Sequence, residues 1–360
     1  MSGHHGHTWQ LQNSTLLTQS LVPERNPHHS DHLGLCIVHI LMALWACLAN
    51  CSQIVNVALS PSLRHQPKNI LVLNVCITDL IIGAFLCPLY SDSLMQGTWR
   101  HDVDTCIVYE VIFYAQVSIS TLSVLVLIVE RFYYLLTPRM MDGSGKNCVT
   151  TVLTALPWVI GSALVVPMFL NGARASFNEG TRSCQILWKK KFQAVTVFVS
   201  FFCPAFLVLS MTAAVVMLYV IFSVIAKRRD LGPYPDRFLM RDSLRVVLLS
   251  SFVCVFLQFP FFIVLLMEIF CQRDISNNYE PCGQSEYTWA VVAVITMLKP
   301  GLMPLTWLAY TDIRSGFQVR NWSLWSVRRR QARRQNSTEN SDPCFNSTSR
   351  LHRTVASTAM

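Results

Sequence analysis

Ionisable side chains stand inside long apolar stretches of this sequence, where their chemistry would be charge pairing. Asp79 and Lys299 each lie within an apolar run, and Arg131 follows Glu130 at the end of another. Hydrocarbon disfavours a charged side chain by about 3 kcal/mol or more, so such residues usually pair and mark functional sites. The sequence shows no catalytic constellation and no spacing of metal ligands. Neither an enzyme nor a cofactor is therefore predicted.

The apolar stretches around these residues are long enough to cross a membrane. The chain is 52% hydrophobic and 14% charged, whereas a soluble domain carries about 25% charged residues. Stretches that reach the roughly 20 residues of a spanning helix are 33–59, 70–90, 106–136, 149–170, 192–226, 244–270 and 287–310. The sequence therefore predicts an all-α membrane protein, a seven-transmembrane helix bundle.

The third stretch carries its polar residues on one side. At helical spacing one face collects Glu110, Phe113, Val117, Ser120, Val124, Leu127 and Arg131. That face should look into a bundle rather than into lipid. Arg131 then needs either a partner, which Glu130 supplies, or a route to the headgroup region.

Basic residues predict the orientation of the bundle. Lys and Arg number 18 in the segments 60–69, 137–148, 227–243 and 311–360, and 8 in the segments 1–32, 91–105, 171–191 and 271–286. Because cytoplasmic loops carry the excess of Lys and Arg, we expect an extracellular N-terminus and a cytoplasmic C-terminus in the plasma membrane. Asn13, in the sequon Asn-Ser-Thr, would then be a glycosylation acceptor on the outer side.

The expected division of the chain follows from these elements. Ile313, Phe317 and Leu324 share one side of a helix that basic residues flank, which is typical of a short amphipathic helix in the membrane interface. The predicted parts are an extracellular tail at 1–32, the seven-span bundle at 33–310, this membrane-parallel helix at 311–327 and a disordered cytoplasmic tail at 328–360.

Several motifs resemble those of one receptor family. Cys106 opens the third stretch, Glu130-Arg131-Phe132 closes it, and Pro138 follows. This frame resembles the third span of rhodopsin-like (class A) G protein-coupled receptors, where a cysteine opens the helix and Asp/Glu-Arg-Tyr closes it. Further residues that match the family's pattern are Asn69, Asn74, Asp79, Trp99, Trp158, Pro167, Pro204, Pro260 and Pro304.

The resemblance implies a disulfide between Cys106 and Cys184 of the next outer loop. Cys271 and Cys282 bracket the last outer loop, and we expect a second bridge there, because disulfides persist outside the cell.

The resemblance also implies a receptor for an extracellular ligand. Glu130, Arg131 and Phe132 would face a heterotrimeric G protein, with arrestin as a further possible partner and membrane lipids around the spans. No nucleic acid partner is predicted.

The chain departs from the family at residues that usually assist activation. Gln258 stands where a tryptophan is usual, Trp307 and Thr212 stand where tyrosines are usual, and Met303 replaces an asparagine. Two classes stay open. One is a receptor that activates G proteins as its sixth span moves outward. The other is a seven-span protein with a degenerate switch, acting as a ligand scavenger or heteromer partner.

The most informative departure is Lys299. In the family, the counterparts of Asp79 and Ser120 hold a sodium ion together with asparagines of the seventh span. We hypothesise that the Lys299 ammonium pairs with Asp79 and replaces that ion, forming with Ser120 and Asn50 a polar network in the core. The alternative is a Lys299 that is neutral or turned into a wet cavity.

The outer third of the bundle is predicted to form an apolar, aromatic ligand pocket. Its lining is predicted to be Glu110, Phe113, Tyr114, Val117, Gln258, Phe261, Phe262, Trp289 and Met297. Phe113 stands where monoamine receptors carry an aspartate, which argues against a simple amine unless Glu110 binds its ammonium. The basic second outer loop could attract an anionic ligand, although a solvated loop explains the same charges.

Overall fold

Long helices form most of the structure. A computed structural model of the chain describes residues 28–96, 98–136, 146–170, 174–178, 183–187, 192–228, 237–271 and 286–317. The spans, numbered in chain order, are His28–Leu59, Pro67–Gln96, Val103–Leu136, Lys146–Leu170, 192–228, Arg237–Cys271 and Glu286–Trp307. A short helix, Thr311–Phe317, follows span 7 at an angle of 89°. Spans 1 to 6 are each long and apolar enough to cross a membrane, and the seventh qualifies together with this short helix.

The outer surface of the bundle is apolar. Leu48, Phe206 and Val159 are 68%, 70% and 65% exposed, and they belong to three different spans. A soluble protein rarely leaves so many large apolar side chains uncovered, whereas lipid solvates them. This exterior agrees with the predicted multi-pass membrane protein.

Span 3 is the central helix. It contacts spans 2, 4, 5 and 6, while span 1 packs against spans 2 and 7. In its most apolar segment 72% of the residues are buried, compared with 22% in spans 4 and 5. This position explains why span 3 collects polar side chains on its inner face.

Two spans contain a π-helical turn that the sequence does not predict. Ile82–Leu86 in span 2 and Phe198–Phe202 in span 5 are each followed by a Cys-Pro pair. Proline has no N–H and its ring crowds the preceding turn, so local widening of the helix accommodates it. The Cys87 and Cys203 amides accordingly donate five residues back, to Ile82 and Phe198.

The described segment between spans 4 and 5 forms a small hairpin. Strand β1, Arg174–Asn178, pairs antiparallel with strand β2, Ser183–Leu187, so that Phe177 lies opposite Cys184. From the sequence this segment is predicted only to be a basic loop. Its disulfide to Cys106, with 5.7 Å between the two Cα atoms, ties the hairpin to the beginning of span 3.

The helix ends differ modestly from the predicted ones. Span 1 begins at His28 rather than at residue 33, and span 7 ends at Trp307 rather than at residue 310. Ile313, on the short helix, is fully buried in the same apolar cluster as Trp307, so this helix packs on the end of the bundle. Residues 1–27 and 318–360, which include most of the predicted tails, lie outside the described residues.

The close approach of span 4 to span 3 gives a testable prediction. A Cβ added at Gly161 would lie 2.6 Å from Ile119 Cγ1 and 3.1 Å from the Ile119 amide nitrogen. We expect Gly161→Ala to lower the free energy of unfolding by about 1–3 kcal/mol, the usual cost of overpacking. The measurement is the thermal unfolding midpoint of the protein in detergent.

Gly34→Ala is the matched control, because nothing lies within 4 Å of a Cβ added there. It should leave stability unchanged or raise it slightly, since alanine favours helix. Equal midpoints for the two variants would contradict the packing described here.

Candidate functional site

An ion pair occupies the middle of the bundle. Lys299 Nζ of span 7 lies 2.7 Å from Asp79 Oδ1 of span 2, and their side chains are 1% and 0% exposed. Lys299 also donates to Ser120 Oγ of span 3, whose hydroxyl lies 3.3 Å from the same Asp79 oxygen. The structure thus brings together three helices around one neutralised pair of charges. Removing one partner of such a buried pair is costly, because it leaves an uncompensated charge.

Asn50 joins this centre through the backbone of span 7 rather than through Asp79. Its Nδ2 atom donates to the Pro300 carbonyl at 2.9 Å. Pro304 has no N–H, so it cannot act as the intrahelical donor to that carbonyl. Asn50 therefore satisfies a carbonyl that the proline leaves free.

Other span 1 side chains repeat this arrangement along span 7. Trp45 Nε1 donates to Gly301 O at 2.9 Å, and Gln53 Nε2 donates to Pro304 O at 3.1 Å. Asn56 Nδ2 donates to Ile313 O of the short helix at 3.1 Å. Span 1 therefore fixes span 7 and its continuation through side-chain donors to backbone carbonyls.

A second buried ion pair lies near the end of span 3. Arg131 forms two hydrogen bonds with Glu130, and the side chains are 5% and 1% exposed. The Arg131 guanidinium also lies over the Tyr134 ring, 4.9 Å from its centroid. Phe132, the third residue of the motif, is half-buried against the largest apolar cluster. We refer to this part of the molecule as the arginine end.

The predicted pocket residues lie toward the disulfide end of the bundle in two adjoining clusters. Tyr114, Val117, Phe261 and Phe262 are buried together, with Trp289 packed against them. Met297 belongs to a second cluster with Cys106, and Phe113 contacts both. The Phe113 and Phe261 rings meet edge to face at 5.4 Å.

Glu110 and Gln258 occupy opposite margins of this aromatic region. Glu110 Oε1 lies 3.8 Å from the Cys184 sulfur, near the hairpin. Gln258 is 1% exposed, and its Oε1 atom accepts a hydrogen bond of 2.8 Å from Thr121 Oγ1 of span 3. The position usually taken by tryptophan is therefore a polar contact between spans 3 and 6 in this chain.

A family model described as "7 transmembrane receptor (rhodopsin family)" matches residues 49–306. The chain belongs to the rhodopsin family of seven-transmembrane receptors. This confirms the resemblance and the seven-span fold class, and it places the chain among receptors rather than enzymes.

Curated relatives of this rhodopsin-family chain are distant. Protein trapped in endoderm-1 of Drosophila melanogaster is 25% identical over 182 residues, covering 50% of this chain and 45% of that protein. G-protein coupled receptor 84 of Homo sapiens is 24% identical over 148 residues, 39% of this chain and 37% of that protein. Trace amine-associated receptor 2 of Homo sapiens is 23% identical over 235 residues, 61% and 65%. The chain spans less than two thirds of the length of these relatives.

Two contacts of the rhodopsin-family interior were missed by sequence reasoning. Trp158, which the sequence analysis gives only as a match to the family's pattern, donates from Nε1 to Asn74 Oδ1 at 2.8 Å and so links span 4 to span 2. Lys68 Nζ pairs with Asp312 Oδ2 at 2.9 Å. Lysine and aspartate so far apart in the chain give no local signal. Lys68 precedes the second apolar stretch and Asp312 follows the seventh, however, which predicts the same end of the bundle for both.

Two predicted features fall outside the part of the chain that the structure describes. Cys282 and Asn13 lie outside the described residues, and the Cys271 side chain is not described, so the second disulfide and the glycosylation site stay predictions.

The central ion pair predicts an insensitivity to sodium. With its own ammonium beside Asp79, the protein should show the same thermal unfolding midpoint in sodium chloride and in choline chloride. Lys299→Met should lower stability by about 3–5 kcal/mol, because it leaves a buried carboxylate unpaired. The same variant should gain a sodium-dependent rise in midpoint, since Asp79 and Ser120 then offer oxygen ligands to the ion.

The double variant Asp79→Asn with Lys299→Met is the matched control. It should recover most of the lost stability and show no response to sodium. A sodium-specific rise in the unmutated protein that disappears in Asp79→Asn would contradict the pairing.

Proposed function

We propose that this chain is a cell-surface receptor that converts the binding of an extracellular ligand into activation of a heterotrimeric G protein. The observation that carries the proposal is the buried Glu130–Arg131 pair at the end of the central helix. Both partners lie on one helix, so the pair can open without separating two spans. Released from Glu130, Arg131 becomes a cationic donor at the surface that a G protein would enter.

Outward movement of span 6 would open this surface. Span 6 has 35 residues and contains Pro260, which weakens the helix at that point and allows it to bend. The contacts that hold span 6 to its neighbours include two polar ones. The Thr212 and Ser251 hydroxyls meet at 2.6 Å between spans 5 and 6, and Thr121 donates to Gln258 between spans 3 and 6.

These hydroxyl and amide contacts suit a two-state switch. Each hydrogen bond between neutral groups contributes only about 0.5–1.5 kcal/mol net, which is comparable with the few kcal/mol by which a ligand biases such an equilibrium. Thr212 and Gln258 depart from the family's usual residues, yet both make contacts that span 6 would break on moving. This supports an altered switch, in preference to a degenerate one.

The arginine end also offers exposed bases to its surroundings. Arg64, Arg241, Arg245 and Arg314 are all exposed. Such bases attract anionic lipid headgroups when they lie on the cytoplasmic side. Arrestin, as a second partner of an activated receptor, would use the same face.

The proposal predicts that Arg131 is indispensable for signalling. We expect Arg131→Ala to abolish nucleotide exchange on G proteins, measured with a panel of G-protein sensors in cells that express the chain at the surface. Arg100→Ala is the matched control, because that arginine is exposed and follows Trp99 at the disulfide end of the bundle, and it should retain exchange.

Two outcomes would oppose the proposal. Full nucleotide exchange in Arg131→Ala would show that the Glu130–Arg131 pair has no role in signalling. Absence of exchange with every G protein, from unmutated chain present at the surface, would favour the scavenger or heteromer alternative.

The orientation predicts which sequon carries a glycan. With the N-terminus outside, Asn13→Gln should remove an electrophoretic mobility shift that a glycosidase also removes. Asn336→Gln, in a sequon that would lie in the cytoplasm, should leave the mobility unchanged. A mobility shift that Asn336→Gln removes and Asn13→Gln does not would show that the C-terminus lies outside the cell.

A further inference from the structure

The Tyr310 hydroxyl is a buried hydrogen-bonding group without a partner in this conformation. Tyr310 lies at the bend between span 7 and the short helix, where its amide donates to Trp307 O and its carbonyl accepts from Arg314 N, both at 3.0 Å. The residue is 1% exposed, yet its Oη atom makes no hydrogen bond. A polar group in that state destabilises the conformation that contains it.

Tyr310 belongs to the same buried apolar cluster as Ile128 of span 3, and charged groups lie near it. Tyr310 interacts electrostatically with Arg131 and Glu130 of span 3, Asp242 of span 6 and Asp312 of the short helix. Lys68 Nζ lies over the Tyr310 ring, 4.5 Å from its centroid, while bonding to Asp312. Lys68 thus packs on one face of the ring, and its ammonium already pairs with the Asp312 carboxylate.

Release of Arg131 would create an electrostatic problem at Glu130. The Glu130 side chain is 1% exposed, and both of its oxygens accept hydrogen bonds from Arg131. Once Arg131 turns toward a partner, a buried carboxylate is left without its counter-ion, which is among the most destabilising changes a protein interior can undergo. A second donor must replace Arg131 if the released state is to be populated.

We propose that the Tyr310 hydroxyl replaces Arg131 as the hydrogen-bond donor to Glu130 when Arg131 turns away. The hydroxyl would donate its proton to a Glu130 oxygen, giving a charge-assisted hydrogen bond that this conformation lacks. Tyr310 is then a positioning residue that stabilises the released state of Arg131. The inference rests on the proposed function and adds the group that lowers the free energy of the released state.

The arrangement predicts effects of opposite sign for one conservative substitution. Tyr310→Phe keeps the ring beneath Lys68 and removes only the hydroxyl. It should raise the thermal unfolding midpoint of the ligand-free protein, because an unsatisfied buried group disappears. It should also lower G-protein nucleotide exchange by about tenfold, the factor that a hydrogen bond to a charged group provides. A purely structural tyrosine would lower stability and exchange together.

A double-mutant cycle with Glu130→Gln tests the pairing itself. In the Glu130→Gln background no carboxylate loses its counter-ion when Arg131 turns away. Adding Tyr310→Phe should therefore change exchange by less than about twofold, well below the change that a hydrogen bond to a charged group produces. Tyr133→Phe is the matched control, because Tyr133 of span 3 is 42% exposed, so its hydroxyl is not a buried group. It should leave both stability and exchange unchanged, and exchange is normalised to the number of chains at the surface.

The outcomes separate this inference from the proposed function. Unchanged exchange in Tyr310→Phe, or an equal loss in the Glu130→Gln background, overturns the role of Tyr310 while leaving receptor signalling intact. Absence of exchange in the unmutated chain overturns the proposed function, whatever the stability of Tyr310→Phe.

Discussion

Pairing of buried charges is the constraint on which this structure depends. In a bundle surrounded by lipid, water is not at hand to solvate an interior carboxylate or ammonium, so each needs a counter-charge within reach. Asp79 with Lys299 meets this requirement in the middle of the bundle, and Glu130 with Arg131 and Lys68 with Asp312 meet it at the arginine end. Since Asp79 and Lys299 lie far apart in sequence, their pairing also determines which helices are neighbours.

Buried backbone carbonyls, like buried charges, need a partner inside the bundle. Pro304 leaves the Pro300 carbonyl of span 7 without an intrahelical donor, and Asn50 of span 1 donates to that carbonyl. Gln53 donates to the Pro304 carbonyl, whose helical donor, the Leu308 amide, donates to Leu305 O instead at the end of the span. Span 7 thus stays helical through Pro304. Its bend into the short helix is stabilised in the same way, by Asn56 donating to Ile313 O.

The sequence alone predicts the features that depend on composition and on the high free energy of an unpaired buried charge. Long apolar runs predict spans, and a charge such as Lys299 inside one predicts a partner of opposite sign. The π-helical turns before Pro88 and Pro204 were not anticipated, because a proline can be accommodated by a kink or by a wider turn, and packing decides between them. The hydrogen bond of Trp158 also escapes prediction, because an indole suits apolar surroundings and Asn74 becomes its acceptor only in three dimensions.

Ion pairs join some spans of the bundle to one another, while weaker contacts join others. Span 7 and its continuation are joined to span 2 by two ion pairs, Asp79–Lys299 and Lys68–Asp312, and to span 1 by a series of side-chain donors. Among the described residues, the ion pair on span 6 lies within that helix, between Asp242 and Arg245. Span 6 meets its neighbours through hydroxyl and amide contacts and through apolar packing, which cost less to exchange than a buried ion pair. Glu130–Arg131 differs from the ion pairs of span 7, because both of its partners lie on one helix and the pair joins no two spans.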